Sequence, residues 1–293
     1  MSPFSILSRS KTHGSAVQTS HGPRWAAITG ASSGIGRAVA IELARNGWAT
    51  LLIARREEKL AALAQQLSAW APSQALPTDL HDAVELERLA GVLAAHEPAI
   101  SALVNGAGFG RYGATIHQEE QFERHLRVNV LAAHRLICAL LPPMRAAGGG
   151  RIINICSMSA YMGPWGHSGY AASKAALRCF TETLAAECHG SPVRVVGVYP
   201  GIIDTAWFDQ PTMPRLWRRV SRRAIEPDRV ARAVVRAIER PRLAVFVPWS
   251  YRLLPLIAGL SPGAAMRLVR AGSRPPMEPL PDAAPVPLVQ PAD

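Results

Sequence analysis

The stretch TGASSGIG, residues 29–36, joins a short apolar run, WAAIT (25–29), to a helix-length segment, 34–46. Three of its eight residues are glycine: Gly30, Gly34 and Gly36. Glycine lets the backbone turn sharply and approach another group closely. A helix that starts here points its unpaired N–H groups into the turn, where they suit a pyrophosphate. Such a turn is a weak signal alone and a strong one between a first strand and a first helix. It predicts a dinucleotide loop in which Gly30, Ser32, Ser33, Gly34, Ile35 and Gly36 hold the phosphates.

Outward from this loop, apolar runs alternate with helical patterns. Strands are expected at 25–29, 49–54, 101–105, 151–156, 193–199 and 243–247, with a weaker one at 74–77. Helices are expected at 34–46, 57–70, 82–96, 119–141, 169–189 and 227–240. The strands are poor in charge and rich in Val, Ile and Leu, which suits a parallel sheet covered on both faces. Alternating β and α therefore predicts an α/β fold, a doubly wound parallel sheet. No linker interrupts residues 24–272, so a single domain is expected there. Residues 1–23 are rich in Ser, Thr and His, lack any acid and lack an apolar core, so they read as a disordered tail and not a secretory signal. Residues 273–293 are Pro-rich and read the same way.

The formal net charge is +11, and ten Arg face three acids in residues 215–242. A basic balance admits phosphate-bearing ligands, anionic membranes and nucleic acid. Nucleic acid is disfavoured. PDRVARAVVRAI (227–238) reads as an amphipathic helix with Val230, Ala231, Val234, Val235 and Ile238 on one side, and only Trp217 offers a stacking aromatic. The four cysteines, Cys138, Cys156, Cys179 and Cys188, have no metal spacing, which points to reduced thiols in a cytoplasmic protein and to no metal site.

Dinucleotide sites often place an acid about 20 residues past the turn to bind the ribose 2′-hydroxyl of NAD. Here that place holds Arg55, followed by Arg56. An acid repels a 2′-phosphate, whereas guanidinium pairs with it, so NADP(H) is favoured over NAD. The bland alternative is an exposed Arg pair neutralised by Glu57 and Glu58.

Further along, GYAASKAAL (169–177) sets Tyr170 four residues before Lys174, on one helix face. A nearby cation favours the phenolate, so the pair reads either as a tuned proton donor or as ordinary helix surface.

The ordered set of motifs resembles the short-chain dehydrogenase/reductase family over residues 25–205. It comprises the turn at 29–36, TDL (78–80), NGAG (105–108), Asn129, Ser157, the Tyr170-x-x-x-Lys174 pair and PGIIDT (200–205). The resemblance implies a Rossmann-type sheet and a catalytic set of Asn129, Ser157, Tyr170 and Lys174. In that set Tyr170 is the acid/base and Lys174 lowers its pKa while touching the nicotinamide ribose. Ser157 donates to the substrate oxygen, and Asn129 holds a water linked to Lys174. It further implies cofactor contacts from Asp79 and Leu80, from Asn105, Gly106, Ala107 and Gly108, and from Pro200, Gly201, Ile203 and Thr205. One departure is Gly106, where the family usually has an asparagine that bonds within the central sheet. That exchange bears on local rigidity and not on chemistry.

The expected function is NADPH-dependent reduction of a ketone or aldehyde, or oxidation of the corresponding alcohol. The alternative is a non-catalytic NADPH-binding sensor or scaffold, for which the full Ser157/Tyr170/Lys174 set is not needed. The resemblance also implies a homo-oligomer, dimer or tetramer, built on the helices at 119–141 and 169–189. An apolar substrate is expected from a lid at about 206–225, with Trp207, Phe208, Met213, Leu216 and Trp217, and from a second segment at 248–271. The charge-free run 253–266 in that segment is too short to span a bilayer, which takes about 20 residues. It either closes the pocket, the favoured reading, or makes peripheral membrane contact through 248–270.

Overall fold

The computed structural model describes residues 22–113, 115, 119–205 and 224–272. Its strands are β1 (Trp25–Thr29), β2 (Ala49–Ala54), β3 (Ser73–Pro77), β4 (Ala102–Asn105), β5 (Gly150–Ile155), β6 (Val193–Pro200) and β7 (Ala244–Val247). All pair in parallel, in the order β3-β2-β1-β4-β5-β6-β7. β1 and β2 carry no charged side chain because both their faces are covered.

One face is covered by α1 (Gly34–Arg45), α2 (Glu57–Leu67) and α7 (Pro227–Glu239). There Val39, Leu43, Leu60 and Val234 pack on Ile28, Leu52 and Val196. The other face is covered by α3 (Ala83–Ala94), α5 (Ala132–Ala146) and α6 (Ser168–Glu187). There Leu89, Leu136, Leu140 and Leu184 pack on Ala27, Leu51, Leu103 and Ile152. In α7 the five apolar residues named from the sequence are all buried, while Arg229, Arg232 and Arg236 face out. The order of strands reverses direction at β1, between β2 and β4. Crossovers on its two sides diverge there and open a crevice beyond the carboxyl ends of the strands.

The structure departs from the expected continuous helix over 119–141. α4 (Glu119–Leu126) and α5 are separated by a π-turn, Arg127–Leu131. The wider turn rotates Asn129 inward, where its amide finds partners that a regular helix would deny it. α5 also runs through Pro142 and Pro143 instead of stopping before them. Burial of Leu140 and Met144 on either side offsets the lost backbone bonds.

After β7 come a 3₁₀ turn, Trp249–Leu253, and two short helices, α8 (Leu254–Leu260) and α9 (Pro262–Gly272). No helix among the described residues is long and apolar enough to cross a membrane. Of the lid expected at 206–225, residues 206–223 lie outside the described residues, including Trp207, Phe208, Met213, Leu216 and Trp217. Both expected tails also lie outside them, apart from residues 22 and 23.

Candidate active site

The glycine turn is built by close approach. Gly30 takes φ +73°, and a Cβ there would meet the Ala107 backbone at 2.9 Å. A Cβ on Gly36 would run into the Gly30 carbonyl. The Thr29 hydroxyl ties this turn to the end of β4, accepting from Gly106 N–H and Ala107 N–H, each at 3.0 Å. At Gly106 an added Cβ would lie 2.8 Å from the Thr29 carbonyl, so an asparagine there would require the backbone to shift. Sheet rigidity is supplied nearby instead. Asn105 Nδ2 donates to Asn154 Oδ1 at 2.8 Å, and Asn154 Nδ2 donates to Thr181 Oγ1 at 2.9 Å.

At the first turn of α1, Ser33 is the N-cap and no acid is present. Arg56 Nη2 donates to Ser32 Oγ at 2.8 Å and to Ser33 Oγ at 2.7 Å. Arg55 points elsewhere: its guanidinium is 3.9 Å from Asp79 Oδ2 and well exposed. The two arginines thus part company. Arg56 joins the phosphate turn, and Arg55 pairs with the aspartate of TDL, not with Glu57 or Glu58.

At the other end, β5 delivers Ser157, whose Oγ accepts from Ser159 N–H at 3.1 Å. α6 sets Tyr170 and Lys174 on one face, as its spacing requires. The Tyr170 hydroxyl is hydrogen-bonded with Ser157. Lys174 is buried, donates to the Ile155 carbonyl at 2.8 Å, and lies 5.9 Å from the Tyr170 ring centroid.

The shifts of Tyr170 and Lys174 follow from their surroundings. Burial dominates both groups. It raises the Tyr170 pKa, with the Ser157 hydrogen bond pulling the other way. It lowers Lys174 from 10.5 to about 8. At neutral pH the tyrosine is therefore protonated and the lysine charged, the state suited to giving up a proton.

Asn129 is buried behind the site. Its Oδ1 accepts from Phe109 N–H at 2.7 Å, and its Nδ2 donates to the Phe109 carbonyl at 2.8 Å and to Ser173 Oγ at 2.9 Å. Asn129 positions the loop around Phe109 against α6 from behind.

Every other predicted residue faces one cavity of about 960 Å³ except Asn105, whose side chain lies in the sheet network. The glycine cradle, which Cβ atoms would fill, and the acid-free first turn of α1 could hold a dinucleotide's phosphates. Ile203 and Thr205 stand at the same wall, with Thr205 Cγ2 3.2 Å from where a Cβ on Gly34 would lie.

Sequence reasoning missed Phe109, Arg124, Met162 and Pro164 in the lining. Phe109 directly follows NGAG, and none of the four belongs to a spaced motif that marks it. Tyr251, Leu254 and Val269 also line the cavity, and they come from the segment 248–271 read as a lid.

His125 and His167 are buried, and burial pulls both to about 4, so both are neutral near pH 7. His125 Nε2 accepts from Arg111 N–H at 3.1 Å, a structural role. Burial pushes the Cys156 thiol up to about 11, which leaves it inert. Among the described residues no cluster of His, Cys, Asp and Glu could hold a metal ion.

A family model described as short chain dehydrogenase matches residues 24–213. An uncharacterized oxidoreductase of Staphylococcus epidermidis is 30% identical over 217 residues, which is 74% of this chain and 91% of that protein. Among solved structures, a short-chain dehydrogenase from Sphingobium yanoikuyae in complex with NADPH aligns with a TM-score of 0.73 at 27% identity, covering 87% of this chain and 98% of the other. L-Sorbose reductase from Gluconobacter frateurii, complexed with NADPH and L-sorbose, aligns with a TM-score of 0.70 at 28% identity, covering 76% and 94%.

Proposed function

Because the chain belongs to the short-chain dehydrogenase family, we propose that it is an NADPH-dependent reductase of ketones or aldehydes, able to oxidise the corresponding alcohols in reverse. The observation that carries this reading is the Tyr170 hydroxyl. Burial keeps it protonated and Ser157 is bonded to it, in the same cavity as the glycine turn.

The nicotinamide supplies hydride when bound. The chain's own residues handle the proton. Tyr170 gives its proton to the carbonyl oxygen, a step worth about 10²–10⁴ in rate. Ser157 donates a hydrogen bond to the same oxygen as charge develops there. Lys174, anchored on the Ile155 carbonyl, keeps a positive charge beside the phenolate that remains. Arg56 beside Ser32 and Ser33 favours a 2′-phosphate over a bare 2′-hydroxyl, and both solved structures described above hold NADPH. Asp79 and Leu80 would flank the adenine, and Pro200, Gly201, Ile203 and Thr205 the carboxamide end.

The sugar reductase in the comparison shows that the family admits polar substrates. In this chain the substrate end carries Phe109, Met162, Tyr251 and Leu254, which favours an apolar carbonyl compound. The reading includes a cytoplasmic homo-oligomer assembled on α4, α5 and α6, where Cys138, Cys179 and, in the turn before α5, Leu131 are exposed.

The test is loss of NADPH absorbance with a panel of carbonyls, for wild type and Tyr170→Phe. The variant should lose ~10²–10⁴ of turnover and bind NADPH within a few-fold of wild type. Turnover near wild type would remove Tyr170 from the chemistry. No consumption of NADPH by wild type across the panel would leave a binding protein instead of an enzyme.

A further inference from the structure

The 3₁₀ turn Trp249–Leu253 and helices α8 and α9 have two unlike sides. The inner side gives Tyr251, Leu254 and Val269 to the cavity, with Ala265 buried beside them. The outer side carries Trp249, Leu253, Leu256, Ile257, Leu260 and Met266, all exposed, with Leu260 at the end of α8 87% exposed. Large apolar side chains gathered in water mark a docking surface or a membrane contact.

Charge identifies the occupant. From Trp249 to Gly272 the sequence holds Arg252, Arg267 and Arg270 and no acid. Arg252 lies 3.5 Å from the centroid of the exposed Trp249 ring, a cation and an amphipathic aromatic side by side. A second copy of this chain docking through the same face would set arginine against arginine, which like-charge repulsion opposes. An anionic lipid surface satisfies both the apolar side chains and the guanidinium rim. α8 has 7 residues and α9 has 11, so neither can cross a bilayer, and both can lie in its interface.

We propose that the outer face of this helical hairpin docks on anionic membrane, and that the cavity it walls receives its substrate, an apolar carbonyl compound, from the lipid phase. The substrate clause rests on the reductase reading. The docking does not.

The full chain is tested by co-sedimentation with vesicles of pure phosphatidylcholine and with vesicles of equal parts phosphatidylcholine and phosphatidylglycerol, at low and high salt. Wild type should pellet with the anionic vesicles at low salt, and by about tenfold less with neutral ones or at high salt. Leu256→Glu with Leu260→Glu should lower partition by about tenfold or more, since each loses a buried leucine's worth of transfer energy. Turnover of a short water-soluble ketone should stay near wild type, and the thermal midpoint should not fall. If that pair misfolds, Ile257→Gln alone should still lower binding several-fold. Tyr170→Phe should pellet as wild type does, so a failure of the catalytic reading is told apart from a failure of docking. Wild type staying in the supernatant with anionic vesicles overturns the proposal, as does a folded Glu variant that pellets unchanged. A fall in particle mass in the Glu variant, read by light scattering without vesicles, also overturns it and assigns the face to a contact between copies.

Discussion

Replacing Lys174 with methionine should abolish turnover and also erase a pH dependence of stability. The folded chain lowers this lysine from 10.5 to about 8 by burial. Below pH 8 both folded and unfolded chains hold the proton, so the full penalty of burying the ammonium, ~3 kcal/mol, is present. Between about pH 8 and 10.5 the folded state has released the proton and the unfolded state has not. The unfolded state then binds more protons, so stability rises with pH, by at most ~1.4 kcal/mol per pH unit. Tyr170, raised by burial, acts in the opposite sense above its unfolded value near 10, which limits the clean window to pH 8–10. Methionine has similar length and no charge, but leaves the Ile155 carbonyl without its 2.8 Å donor, a loss of ~1–3 kcal/mol that does not vary with pH. Urea unfolding without cofactor, at several pH values from 7 to 10, separates the two effects. The wild-type stability minus that of Lys174→Met should climb by ~1–2 kcal/mol from pH 8 to 10 and stay flat from 7 to 8. Parallel curves across the whole range would show that this lysine carries no burial penalty and would refute the reasoning.

Arg56→Glu should lower kcat/KM with NADPH by ~10–100-fold and leave NADH less affected, because one charged contact contributes ~1.5–3 kcal/mol. Arg55→Glu, at a guanidinium already paired with Asp79, should cost less, and an equal loss at both positions would reject the distinction. Ser157→Ala removes the hydrogen bond that opposes burial at Tyr170, so reduction should slow by ~10²-fold. In the oxidative direction its pH–rate curve should rise at higher pH than wild type, and an unmoved curve would count against the assigned bond. Light scattering at micromolar concentration should give a dimer or tetramer mass, and a monomer mass would dismiss assembly through α4, α5 and α6.

Much of this protein is local and so was legible along the chain. Strand composition marks burial on two faces, and alternating β and α then leaves few topologies. The phosphate turn is eight consecutive residues whose glycines state their own purpose. Tyr170 and Lys174 sit one helical turn apart, so a periodicity argument finds their shared face. What only the tertiary structure decided depends on groups brought together from distant stretches. Arg56 is in the turn because its guanidinium crosses to Ser32 and Ser33, a fact that adjacent Arg55 hides in sequence. Gly106 sits tight against the Thr29 carbonyl, which lies far from it along the chain. Asn129 turns inward through a π-turn that no composition signals, toward Phe109 and Ser173. The directions in which Tyr170 and Lys174 shift have the same kind of origin. Spacing shows that a cation is near a phenol, but the sign of each shift is set by how much water is excluded, and burial is a property of the packed fold.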